Sequence, residues 1–514
     1  MFESWFEQAE SPSETDLDDF IEDSITRIMW RPIECGIRQG TRWPEIIHSF
    51  YMVFSDDVLT DWCKSVWEHG DWLSKKYTAR NLLLMEMNGL LHISVLYPWF
   101  RISAEWFELA MSKLKKELNG QIYPDGVHFE LTTGYARVAL LNFCKAVKIC
   151  KVYDREVSEE FTDVLEKLLL FFVRMMRPDG KVPCINDGIC LDAAEQVQEF
   201  HDFFKPNEVF DYFLGKTDKV PEETSYVFAY PGLAALRTGW SNQDSYVFFD
   251  GGELGAGHYH EDKLNVLFSF HGREILTEGN SYAYDTSEMR KYVRSTRAHN
   301  TIRVDGMDQN RKANYKWKGQ INVKSHLKYH LTDGMDVLQA VYNEGYGEAV
   351  DCEVTHERTV MFVKKMEKLK PFLIIIDRLY AQKQHDYEVM WHLDVDDVRL
   401  EGLNVINDEV SVLVPECDKL KSGLVVHHGS QFPEWQGWCA DSTIQDDYRA
   451  IYNLSYHITA KDARWVTVIC PNENSIDHSN DQIVKIEAGT EINDTEISLI
   501  LDNGKKLLLN ELTL

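Results

Sequence analysis

Between Gly255 and Asp308 the chain concentrates side chains that bind metals and move protons. His258 and His260 stand two apart in GAGHYHEDKLNVLFSF, a spacing that puts both imidazoles on one face of an extended strand. Glu278 and His299 follow on separate segments, among Tyr282, Tyr284, Tyr292, Arg294 and Arg297. Imidazoles with a carboxylate form a first shell for a divalent metal that keeps a position open. Tyrosines and arginines beside them suit proton transfer on an anionic substrate. The window 285–320 holds nine Lys or Arg against four Asp or Glu, so it is locally basic. A solvated surface is the plainer reading of such a run.

That local charge opposes the whole. The 514 residues carry 54 Lys and Arg against 83 Asp and Glu, a net charge of −29. Such a field argues against nucleic acid and acidic membranes as partners. Any polyanionic ligand must therefore meet a basic cleft. The 44% apolar and 12% aromatic content is ample for burial, and the length calls for two or three domains. The ten cysteines are scattered without a CxxC, which points to reduced, buried thiols. The acidic opening MFESWFEQAESPSETDLDDF lacks a secretory pattern, and runs such as LLLFFV at 168–173 are too short to span a bilayer. The expectation is a soluble cytoplasmic protein, or a periplasmic or secreted one if a signal has been removed. Monomer and homodimer both remain open.

The elements that must position these groups fall into two textures. Apolar residues recur at three and four in 18–30, 81–96, 103–118, 131–150, 157–177 and 193–214, with Pro98, Pro124 and Pro178 as punctuation. This predicts helix pairs joined by turns, in a toroid or solenoid without a strict repeat. A polar stretch, GKTDKVPEET, follows near 215–225 as a linker. Beyond it SYVFAY, SYVFFDGG, KLNVLFSFHGREILTE, TVMFVKKM, PFLIIIDRL, YEVMWHL and ARWVTVIC read as strands. Strands without intervening helices imply packed antiparallel sheets. The prediction is an α+β chain, with a helical domain at 1–220 and an antiparallel β-sandwich at 221–514. A ligand cleft where the two meet is expected.

Four ordered motifs carry a family resemblance. They are MWRPIECGIRQGTRW, ARNLLLMEMNGLLHISVLYPWF, YPDGVHFELTTGYARVALL and GHYHEDKLNVLFSFHGREILTEGNSYAY…RSTRAHNTIRVDG. Together they resemble the heparinase II/III-like polysaccharide lyases over roughly residues 25 to 310. The resemblance implies an incomplete (α/α)n toroid followed by a β-sandwich. It also implies β-elimination on uronic-acid polysaccharides, leaving a 4,5-unsaturated uronate. By motif position, Asn81 would bind the uronate carboxylate, Tyr135 and His258 would handle protons, and His260, Glu278 and His299 would hold the metal. Manganese and zinc suit two nitrogens and a carboxylate, calcium less so. Hyaluronan, chondroitin and heparan-type chains are the implied substrates, with alginate or another polyuronate as the nearest alternative.

The proton roles can be weighed separately. A free tyrosine, pKa ~10, is roughly 0.1% phenolate at neutral pH, a deficit of about 4 kcal/mol for a base. Imidazole has no such deficit, so His258 is the easier base and Tyr135 the more natural acid. Tyr135 could act as base if Arg294, Arg297 or a metal stabilised its phenolate. Arg38 and Arg42 could grip sulfate or carboxylate bidentately. Glu86, His128, Tyr292, Arg294 and Arg297 complete the candidate substrate contacts. Plainer readings stand beside each: Asn81 as a helix cap, Tyr135 as core, His128 and Glu130 as turn residues, Trp30, Trp43, Trp99 and Trp106 as core.

The chain departs from the family pattern at Glu278-Gly279, Leu82, Tyr97-Pro98-Trp99-Phe100 and Ala136, which bears on substrate preference. A toroid glycoside hydrolase would need two carboxylates from Asp125, Glu130, Glu86 or Asp187, and no pair is singled out. A non-catalytic, cupin-like sugar binder would place a Glu where Leu264 and Asn265 stand.

Overall fold

The computed structural model describes residues 29–310, 320–348, 353–416, 421–441, 447–472, 481–512 and 514. Most of the helix predicted at 18–30, part of the basic window and Cys352 and Cys417 lie outside the described residues. Cα packing divides the chain into two compact units. One holds the described residues up to His128 with Ala136–Leu169 and Phe200–Lys205; the other holds Phe129–Tyr135, Leu170–Glu199 and Pro206–Leu514. Two segments from the predicted helical half thus pack with the strands. No helix among the described residues is long and apolar enough to cross a membrane.

The helical unit opens with Pro32–Ile37, a π turn at Arg38–Arg42 and Trp43–Phe50. Pro32 and Pro44 occupy first-turn positions, where a missing N–H costs nothing. Asp56–Lys75 follows, capped by Ser55, whose Oγ accepts from Val58 N at 3.3 Å. The predicted helices at 81–96 and 103–118 appear as Arg80–Leu96 and Ser103–Gln121. Gly36 lets Pro32–Ile37 approach Arg80–Leu96 backbone to backbone, since a Cβ there would stand 2.5 Å from Glu86 Cα. The predicted 131–150 and 157–177 appear as Thr133–Val152 and Glu159–Met175. The predicted 193–214 is two helices, Ala193–Phe200 and Glu208–Phe213, because Pro206 interrupts it and Asn207 caps the second.

Every predicted strand forms. Among the described residues the largest sheet has nine antiparallel strands, with Val266–Phe270, Arg273–Thr277, His385–Leu393 and Tyr452–Ala460 adjacent in that order and Ile302–Val304 also pairing with His385–Leu393. An eight-stranded sheet centres on Ala463–Pro471, Phe372–Tyr380, Thr355–Val363 and Met335–Tyr342. A three-stranded sheet, Ile483–Ala488, Glu496–Leu501 and Lys506–Asn510, completes the layers. Phe372–Tyr380 explains the uninterrupted apolar run. Leu373, Ile375 and Leu379 face the core shared with the large sheet, while Phe372, Ile374 and Ile376 face the core under the small one.

A buried ion network joins this middle sheet to the site-bearing segments. Asp377 accepts from Arg358 Nε and pairs with His356 Nε2, both at 2.6 Å. Arg358 also donates from Nη1 to Leu264 O at 2.8 Å and to Asn300 O. Asn300 in turn bonds Val266 O and the His392 N–H.

Candidate active site

Tyr135 lies in the first turn of the helix Thr133–Val152, and its surroundings belong to the sheet unit. The preceding residues are stitched to two loops. Ala256 N donates to Phe129 O at 2.9 Å, Asn186 Nδ2 donates to Leu131 O at 3.1 Å, and Thr133 Oγ1 donates to Ile189 O at 2.8 Å. These bonds carry Tyr135 against His258. The two rings stack with centroids 3.9 Å apart and planes at 22°. Tyr284 completes the group: its hydroxyl stands 3.2 Å from the Tyr135 hydroxyl and 3.0 Å from His258 Nδ1. The residue as a whole is 63% exposed. Burial of the hydroxyl end, reinforced by Tyr135 and Asp187, raises its pKa above the ordinary phenol value.

The HxH pair is not on a strand. His258 has φ +59°, a left-handed conformation that costs a non-glycine residue and requires support. The support is the loop 184–190. Asp187 N donates to His258 O at 3.1 Å, and the Asn186 side chain accepts from His260 N at 2.9 Å. The bend also alters what the two imidazoles share. Rather than lying parallel on one face, they both address Asp187, His258 through Nδ1 at 3.4 Å and His260 through Nε2 at 3.0 Å. Arg290 clasps the same carboxylate with Nη1 at 2.5 Å and Nη2 at 2.8 Å. Burial alone would raise the Asp187 pKa, but His258, His260 and Arg290 hold it well below the carboxylate range.

Deeper in, His299 Nδ1 lies 2.9 Å from Glu278 Oε2 while its Nε2 lies 3.1 Å from Val293 O. Asn265 donates to the same carboxylate oxygen. Burial opposes a charge on His299, yet Glu278 outweighs it and raises the imidazole pKa. Burial holds His260 below the ordinary range despite Asp187. The predicted ligands do share this cluster, with the His260 and His299 rings 5.4 Å apart. Their donor chemistry suits a divalent ion, but their arrangement is one of mutual hydrogen bonds. Among the described residues no group of three or more His, Cys, Asp or Glu side chains is set to hold a metal.

Comparison with known proteins then places the chain. The profile described as "Heparinase II/III N-terminus" matches residues 1–212, and "Heparinase II/III-like, C-terminal" matches residues 221–488, more than half of the chain. The chain belongs to the heparinase II/III family. Among its relatives, a heparin-sulfate lyase of Bacteroides stercoris is 25% identical over 475 residues, covering 88% of this chain and 66% of the relative. One from Pedobacter heparinus is 24% identical over 385 residues, covering 72% and 55% respectively. The chain thus spans just under two thirds of the first relative's length and little over half of the second's. A solved heparinase III structure superposes with a TM-score of 0.79 at 20% identity, covering 99% of this chain and 79% of that one. This chain shares its fold.

The heparinase II/III motif positions behave unequally. Tyr135 and His258 come together as expected. Tyr292 does not join them: it is fully buried, its hydroxyl lies 3.4 Å from His392 Nε2, and burial raises its pKa. It packs with Met289, Val293 and Ala298, so the expected substrate contact is a core residue. Arg294 is exposed, and Arg297 pairs with Glu434 at 3.5 Å. Arg303 meets Asp308, Glu388 and Glu434. The described basic residues of the window are thus largely paired with acids, while Arg311, Lys312, Lys316 and Lys318 lie outside the described residues.

In the helical unit, Arg38 donates to His69 Nε2 from Nη2 at 3.1 Å and to Met29 O, so it serves that unit's core. Arg42 is exposed. Glu86 is buried and accepts from Thr78 N at 2.7 Å and Thr78 Oγ1 at 2.8 Å, which closes the turn before Arg80–Leu96. His128 is buried with Nε2 3.3 Å from Gln121 Oε1. Asn81 is the second residue of Arg80–Leu96; Ala79 stands at the cap, so Asn81 is not the capping residue. Trp99 is 66% exposed rather than core, whereas Trp30, Trp43 and Trp106 are buried.

Proposed function

We propose that this chain is a polysaccharide lyase that cleaves uronic-acid-containing glycosaminoglycans by β-elimination, with heparan-type chains first among its substrates. The observation that carries the reading is the convergence of Tyr135, Tyr284 and His258 within hydrogen-bond reach of one another. β-Elimination needs a base at C5 of the uronate and an acid at the C4 oxygen. The C5–H bond breaks toward the base, the electron pair forms C4=C5, and the C4–O bond opens as its oxygen gains a proton. His258 Nδ1 is engaged by Tyr284 and Asp187, which leaves Nε2 for the C5 proton. Tyr135 protonates the leaving oxygen. After each turnover the Tyr284 hydroxyl, between them, passes the Nδ1 proton of the His258 imidazolium to Tyr135, and exchange with water then moves the remaining proton from Nε2 to Nδ1, which restores the base.

Asn81 takes the uronate carboxylate by its motif position, lowering the cost of the developing negative charge. The names of the relatives support heparan sulfate as the first polymer to try. A manganese or zinc ion at His260, Glu278 and His299 belongs to the same proposal. It would replace the Glu278–His299 hydrogen bond and tie three segments together.

The test is incubation of the pure protein with heparan sulfate, hyaluronan, chondroitin, alginate and a plain polyglucuronate. A lyase gives an ultraviolet-absorbing conjugated product. Reducing ends without that absorbance would mean hydrolysis and would overturn the proposal; no release from any polymer would do the same.

A further inference from the structure

We infer that Asp187, clamped by Arg290, is the positioning residue for both proton-handling groups that surround Tyr135. The inference rests on the lyase reading and adds a residue to it. Three observations carry it. First, Asp187 is 7% exposed and makes four polar side-chain contacts, to His258, His260 and both terminal nitrogens of Arg290. Second, its backbone N–H holds the His258 carbonyl, so the same residue fixes the strained backbone at φ +59° and the ring it carries. Third, Arg290 reaches the other partner. Its guanidinium lies 4.8 Å from the centroid of the Tyr284 ring and donates to Tyr282 O at 3.3 Å.

One bidentate ion pair therefore sets the position of His258 on one side and Tyr284 on the other. A bidentate Arg–carboxylate fork fixes orientation as well as distance, which a point charge does not. The loop itself is closed at its neck by Val182 N to Leu191 O at 2.8 Å and by pairing of Lys181 with Asp192. Asp187 is thereby presented from a rigid turn, as a positioning group must be. Its contacts engage both of its carboxylate oxygens, which fits a positioning role.

Replacing Asp187 by Asn keeps the shape and removes the fork. The prediction for Asp187→Asn is a kcat lowered about 10²-fold with KM within about threefold. Arg290→Lys, which keeps the charge and loses the fork, should lower kcat by about tenfold. The decisive measurement is a double-variant comparison: if Asp187 acts through His258 and, by way of Arg290, through Tyr284, Asp187→Asn added to His258→Ala costs less than it does alone, because only the Tyr284 route remains. An additive loss in the double variant, a change confined to KM, or unchanged kcat in both single variants would overturn the inference. If Asp187→Asn does not fold, Arg290→Lys alone decides, through the same kcat and KM split. An inactive wild-type protein would count against the lyase reading instead, so the two failures are told apart.

Discussion

Tyr284→Phe separates a working hydroxyl from a decorative one. The substitution removes one oxygen from a residue that is 63% exposed, so it opens no cavity. Two hydrogen bonds are lost, to Tyr135 at 3.2 Å and to His258 Nδ1 at 3.0 Å. Neutral hydrogen bonds contribute about 0.5–1.5 kcal/mol each to stability, and half-exposed ones fall at the low end. A stability change of about 1 kcal/mol or less is therefore expected. If the hydroxyl returns the proton from His258 to Tyr135, the rate should fall by about 10²–10⁴, equivalent to about 2.7–5.5 kcal/mol in the barrier. The gap between these figures makes the experiment decisive. Initial rates of ultraviolet-absorbing product on heparan sulfate, beside thermal melts of both proteins, give the two quantities. A kcat within threefold of wild type with an unchanged melt would refute the relay. A melt lowered by many degrees would show instead that Tyr284 is structural.

Three further outcomes are expected. Tyr135→Phe should retain substrate binding while turnover falls about 10²–10⁴-fold, measured by calorimetric titration beside the rate assay; unchanged turnover would remove Tyr135 from the mechanism. His69 is buried with Arg38 donating to Nε2, and burial, then Arg38, lowers its pKa to about 3 from 6.5. The unfolded chain takes up this proton first, so stability is full above pH 6.5 and falls as the pH drops toward 3. The loss is about 2 kcal/mol by pH 5, and His69→Gln should flatten that slope in denaturant titrations. Added manganese or zinc should raise the melting temperature, and Glu278→Gln should abolish the rise; elemental analysis without bound metal and melts without a shift would count against the ion.

Much of this architecture was readable from spacing. The run PFLIIIDRL could be read as a strand because both of its faces meet apolar cores, which removes the usual alternation. The helix Asp56–Lys75 escaped notice, although Trp62, Val66, His69 and Leu73 repeat at four, three and four. Its buried stripe mixes aromatics with a histidine and so looks polar. Tyr292 could have been assigned to the core, since Met289, Tyr292 and Val293 share one helical face.

The site was harder. HYH looks like strand alternation, and nothing local announces the left-handed turn at His258, because its support comes from Asn186 and Asp187 more than 70 residues earlier. Asp187 itself sits in an unremarkable Asn-Asp-Gly turn. Only the folded chain reveals what that turn holds.

The three-stranded sheet has a practical meaning for anyone trimming the protein. The family match ends at residue 488, after the first of its strands, Ile483–Ala488. Stopping there would discard Ile497, Leu499 and Leu501 and strip the cover from Val337, Met361, Ile374 and Val466. A polypeptide shortened at that homology border would carry a wide greasy face into water and would be prone to aggregate. The 26 residues after 488, outside the recognised domain, act as its waterproofing.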